Sequence, residues 1–96
     1  MLYETEDTVM LAFRSRIEEL LRNLKHRTHF VDLWVRELND VLEAGQQLGV
    51  RHIRTLSKNE LEELVDSLKP LVTLRMRKDA LSIVRKKLRE IGIGFV

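Results

Sequence analysis

Between Met1 and Ala44 the chain contains neither proline nor glycine. These are the two residues that most readily interrupt a helix, so the first half is expected to be helical over most of residues 5–48. Thr5 or Asp7 supplies a capping side chain at its start. Apolar residues recur at Met10, Phe13, Ile17, Leu20 and Leu24, and the register resumes at Val31, Trp34, Leu38 and Val41. Steps of three and four make this a heptad-like seam with one charged interruption. An unbroken helix over 5–48 would run roughly 65 Å. A globule of this size has a radius of gyration of only about 12–13 Å. Such a helix implies an elongated oligomer. The alternative is a break at "HRTHF", residues 26–30, with Thr28 capping a second helix, and this is the preferred reading. In either case the nine seam residues are candidates for an oligomer interface.

The second half is better punctuated. Gly49 is placed to end the helical half as a left-handed cap, and "VRHIRTL" (50–56) reads as a connector. In "LSKNELEEL", Ser57 and Glu60 have capping-box spacing, and Leu56 and Leu61 occupy the hydrophobic-staple positions. A helix over 58–68 follows, and Pro70, the one proline, is expected to separate it from the last helix. "VTLRMR" (72–77) alternates like a strand but has no evident partner, so it is read as helical. From Lys78 to Ile91 the helical pattern is clear, and Gly92 ends it. The tail "IGIGFV" is too apolar to be left in water. The expected fold is therefore all-α: one domain over 1–96, a small bundle of three to four helices. A long helix or helical hairpin (5–48) precedes a helix-turn-helix-like pair (57–92).

Net charge is +2, but residues 1–69 carry ten basic and thirteen acidic side chains, whereas 70–96 carry seven and two. The balances of −3 and +5 point to an acidic partner for the C-terminal part. On a wheel of the last helix, Met76, Ala80, Leu81, Ile83, Val84, Leu88 and Ile91 fill an arc of about 160°. Opposite them lie Arg75, Lys78, Ser82, Arg85, Lys86 and Arg89, with Asp79 and Glu90 at one edge. Arg77 and Lys87 fall inside the apolar arc, where their stems can pack while their heads reach outwards. Cations along one stripe with an interspersed hydroxyl are what phosphate contact requires, so these six residues are the candidate nucleic-acid-binding set. Solvated surface is the plainer reading of such a stripe. Arg22, Lys25 and Arg27, with His26 and His29, form a second possible anion contact.

The order helix, connection, basic helix resembles a helix-turn-helix, which implies DNA more than RNA as the partner. "RKDALSIVRKKLREIGIGFV" is similar to the recognition helix of a winged-helix domain. The sequence ends where that family's wing hairpin would follow, and "KPLVT" is longer than its usual turn. "WVRELN", "LSKNELEEL" and "RKDALSIVRKKLRE" resemble segments of sterile alpha motif domains, with a longer spacing between the last two.

No chemistry-bearing motif competes with binding. His26, His29 and Asp32 are spaced three apart but lack a matching ligand elsewhere, and no cysteine is present, so no metal is expected. Glu18 with Glu19, and Glu62 with Glu63, point about 100° apart on a helix, which suits ion pairs better than acid–base catalysis. There is no phosphate-cradling loop and no nucleophile motif, so neither enzyme activity, a cofactor nor a small-molecule substrate is expected. Trp34, on the seam, reads as packing. No apolar run approaches the length of a membrane span and no signal peptide is evident, so no membrane partner and a cytoplasmic location are expected. The partners left are nucleic acid, and a second copy or another protein.

Overall fold

The computed structural model describes residues 6–96 and shows four helices: α1 (Glu6–His26), α2 (Val31–Gln47), α3 (Lys58–Thr73) and α4 (Arg77–Glu90). The expected cap Thr5 lies outside the described residues, as does the side chain of Asp7. Each helix packs on two others: α1 on α2 and α4, and α3 on α2 and α4. The bundle is thus a closed ring of neighbouring helices.

The first half is a helical hairpin. After His26 the amides of Arg27 and Thr28 both donate to the carbonyl of Asn23 at 2.8 Å, which stops α1. Thr28 does not cap α2, contrary to expectation. The N-cap is Phe30, and no side chain bonds there. The turn is held by tertiary contacts instead. The Trp34 indole N–H donates to the carbonyl of Leu20 at 2.8 Å in a buried bond, locking the first turn of α2 to α1.

This reversal corrects the expected role of the seam. Phe13, Ile17, Leu20, Leu24, Val31, Trp34, Leu38 and Val41 are all buried within the chain's own core. Only Met10, 40% exposed, keeps surface for anything else. A heptad-like stripe needs a facing stripe, and the break at residues 27–30 supplies one from the same chain. Eight of the nine residues read as an oligomer interface, four from α1 and four from α2, pack into the core of the single chain.

The connector is tied at both ends. Gly49, with φ of 102°, ends α2: its amide donates to Gln46 O and that of Val50 to Gly45 O, the Schellman arrangement. The capping box forms as expected, with the Glu60 amide donating to Ser57 Oγ and the Ser57 amide to Glu60 Oε1. Leu56 is buried, and its amide donates to Asn39 Oδ1 of α2 at 2.8 Å.

Pro70 does not divide the last two helices. The expected helix 58–68 continues through it to Thr73, and the strand-like "VTLRMR" is divided: Val72 and Thr73 end α3, 74–76 form a turn, and Arg77 begins α4. Proline removes one N–H, here the donor to the carbonyl of Asp66, and both residues lie on the exposed side. One more turn of α3 seats Val72 in the core, which offsets that loss. The true break is at 74–76, where Arg75 adopts φ of 63° and its amide and that of Met76 donate to Val72 O and Leu71 O. This is a Schellman turn with arginine where glycine is usual.

After α4 the tail folds back. Gly92, φ 108°, repeats the Schellman turn, and Ile93 is buried. Phe95 meets Phe13 edge-to-face at 6.4 Å, and the Arg14 guanidinium lies 5.1 Å from the Phe95 ring centre. Gly92 also lies against the connector: a Cβ there would run into the carbonyl oxygen of His52. Gly49 has open space around it. Gly92→Ala should therefore cost about 3 kcal/mol or more, combining strain and a backbone clash, whereas Gly49→Ala should cost about 1 kcal/mol of strain alone. Urea unfolding of the two variants measures the difference.

Candidate nucleic-acid interface

In α4, Ala80, Leu81, Val84 and Leu88 are buried, and Ile91 just beyond it is too. Met76 and Ile83, expected in the core, stand 43% and 37% exposed. The apolar arc that α1 and α3 cover is thus narrower than the wheel suggests. The six candidate residues, Arg75, Lys78, Ser82, Arg85, Lys86 and Arg89, are all exposed. Ser82 Oγ donates to the Lys78 carbonyl at 3.1 Å, which leaves its lone pairs outward. Among the described residues none of the five cations forms an ion pair.

Two basic residues of the same helix serve the fold instead. The Arg77 guanidinium donates through Nη1 to the carbonyls of Leu24 (2.6 Å) and Thr28 (2.9 Å), fastening the start of α4 to the end of α1. The Leu24 carbonyl is among the ones that a helix C-terminus leaves without intrahelical donors, Thr28 follows in the turn, and a cation there also suits the helix dipole. Lys87 Nζ lies 3.1 Å from Glu90 and 3.5 Å from Glu60, and these carboxylates, Glu90 foremost, hold it above the usual lysine range. Glu60 joins three elements. It accepts from the Ser57 amide, pairs through both oxygens with Arg54 (2.6 and 2.8 Å) and faces Lys87. The Arg54 bonds first, then the Ser57 amide, hold its carboxyl well below the usual carboxylate range.

The stripe leans towards α1. Arg85 and Arg89 lie one and two turns along α4 from Leu81, and all three line a groove of about 670 Å³ with Arg22, Lys25 and His26 of α1. Leu21, Leu81, Phe95 and Val96 contribute apolar lining to this groove. Its one acid, Glu18, is paired with Arg14 at 3.5 Å. Part of each basic patch that the sequence presents separately therefore shares this groove, with Arg22 and Lys25 from α1 and Arg85 and Arg89 from α4, whereas Arg27 and His29 line another cleft. Lys78, Ser82 and Lys86 extend it over the outer face of α4, while Asp79 and Glu90 lie on the side towards α3. Nothing local signals this union, because it depends on α1 packing against α4.

Other candidates disperse. His26 lines this groove, whereas His29 and Asp32 line a cleft at the start of α2, where Asp32 pairs with Lys69 at 3.2 Å. The helix end at His26 breaks the spacing that would have aligned them.

No protein-family model matches the chain, and no curated protein and no solved structure is significantly similar to it. The site's own geometry is therefore what a functional reading has to rest on.

The split between structural and unpaired cations is measurable. Arg77→Ala should destabilise the protein by about 2 kcal/mol, because two carbonyls are left without a charged donor. Lys86→Ala should stay within about 0.5 kcal/mol of the parent. Thermal unfolding of both variants decides this. The depressed Glu60 carboxyl stabilises the fold fully above its ordinary value of 4.5 and loses that contribution as pH falls below it. Glu60→Gln should accordingly be less stable than the parent at neutral pH, with the gap closing in acid, as read from urea midpoints across the pH range.

Proposed function

We propose that this is a small non-enzymatic nucleic-acid-binding protein that grips the phosphate backbone with the α1–α4 face. One observation carries the reading: exposed cations from two helices border one groove and one helix face, and the candidate cations of α4 have no ion-pair partner among the described residues. Cations without partners give up little when they meet phosphate, and the counterions they release favour binding. From Lys78 to Arg89 the stripe runs about 16 Å along the helix, long enough to follow several phosphates. DNA is favoured over RNA because α4 presents a convex, exposed helical face behind a three-residue turn. The major groove of B-DNA admits a helix, whereas that of A-form RNA is deep and narrow. A cytoplasmic location accords with this role.

The competing reading is a structural or adaptor subunit that self-associates through the seam. It loses the surface on which it relied, since eight of the nine seam residues are buried in the chain's own core.

Reversing two charges, Arg85→Glu with Arg89→Glu, should abolish retention of duplex DNA in a gel shift at about 50 mM salt. Unchanged retention by that variant, or none by the parent, overturns the proposal. The groove makes a finer expectation. Arg22→Ser with Lys25→Ser should lower the slope of log affinity against log salt by about 2, near 0.9 for each phosphate that is no longer neutralised. Fluorescence anisotropy across a salt series measures it. Light scattering with and without duplex separates this behaviour from salt-insensitive self-association.

A further inference from the structure

A second surface, at one end of the bundle, is built differently from the basic face. Phe30 and Leu33, at the start of α2, are 73% and 60% exposed, and Leu74 and Met76, in the α3–α4 turn, are 66% and 43% exposed. The two turns lie at the same end. Arg77 bonds to Thr28 between them, and Phe30, Leu33 and Thr73 border one cleft. Four large apolar side chains left in water at one place call for a partner.

Charge says what kind. Residues 27–36 and 69–79 together carry six basic and two acidic side chains, a balance of +4. Asp32 is neutralised by Lys69, and Arg77 is spent on the end of α1. Arg27, Arg36 and Arg75 have no ion pair among the described residues. A two-fold contact between copies would set this net-positive patch against an identical one. Shape argues further. Phe30 and Leu33 border two clefts at once, so they stand as a ridge between hollows and do not line a trough for a peptide. Protruding apolar tips among unpaired cations match a fluid anionic surface: the tips enter the boundary of headgroups and chains, and the cations stay at the phosphates.

We propose that this end of the bundle docks peripherally on an anionic lipid bilayer. The expectation of no membrane partner rests on the lack of a spanning segment. Among the described residues no helix is long and apolar enough to cross a membrane, and surface docking needs none. The proposal is distinct from the nucleic-acid reading in its apolar residues, Phe30, Leu33, Leu74 and Met76, although Arg27, Arg75 and Lys78 stand in both charge sets.

The test is co-sedimentation with vesicles of phosphatidylcholine containing about 30% phosphatidylserine, against phosphatidylcholine alone. The parent should sediment with the anionic vesicles only. Phe30→Ser with Leu74→Ser keeps the charge and alters only exposed positions, so it should fold, as circular dichroism verifies, and bind about tenfold more weakly or worse. No sedimentation by the parent overturns the proposal, and so does equal sedimentation by the variant, which would mean charge alone acts. Light scattering that finds the parent oligomeric and the variant dissociated also overturns it, because a second copy would then cover this end. The variant should retain duplex DNA like the parent; loss of that retention would assign the end to nucleic acid and overturn the proposal as well.

Discussion

The reversal of the chain at residues 27–30 is the constraint on which the bundle depends, and Arg77 is bonded both to the helix end that leads into it and to the turn itself. Its guanidinium donates to Leu24 in α1 and to Thr28 in the turn, 53 and 49 residues away in sequence. Without the reversal, the apolar stripe of residues 10–41 would face outward along one rod and need a second chain. With it, α1 and α2 cover each other, and the Trp34–Leu20 bond sets their register. The start of α4 is then delivered to the end of α1, which closes the ring of four helices. Side-chain capping does not fix the starts of α2 and α4, since neither has a side-chain N-cap bond. Long-range contacts take that role.

The cations of α4 divide along the same line. Those pointing towards neighbours are engaged, Arg77 with the end of α1 and Lys87 with Glu60 and Glu90. Those pointing outward are unpaired among the described residues, and the lean of the stripe brings two of them, Arg85 and Arg89, beside Arg22 and Lys25. Arg75 is a special case. It holds a left-handed conformation that glycine would adopt with less strain, at the corner between the basic face and the apolar end. Strain kept at an exposed cation is a reason to look for a role there.

Much of the fold is legible in the sequence because its signals are local. The capping box, the glycine caps at 49 and 92 and the seam register each depend on a few consecutive residues. Pro70 misleads for the converse reason. The rule against proline inside a helix weighs one missing hydrogen bond, whereas the chain gains the burial of Val72 two residues later. Met76 and Ile83 are overcounted as core because a wheel shows which residues share a face but not how much of that face a neighbour covers. The outward stripe of α4 is legible for the same geometric reason that its other bank is not. Arg22, Lys25 and His26 are some sixty residues from Arg85 and Arg89, and no periodicity relates them.

What the sequence determined by itself is therefore the all-helical character of the chain, most of the helix ends and most of the face each helix turns inward. Periodicity and caps act over a turn or two and leave their mark in neighbouring residues. The tertiary structure alone decided that the seam closes within one chain, that α1 lies beside α4, and which of the basic side chains remain free to meet an anion. Those outcomes depend on which helix faces which, and that is settled by burial and long-range hydrogen bonds between residues far apart in the chain.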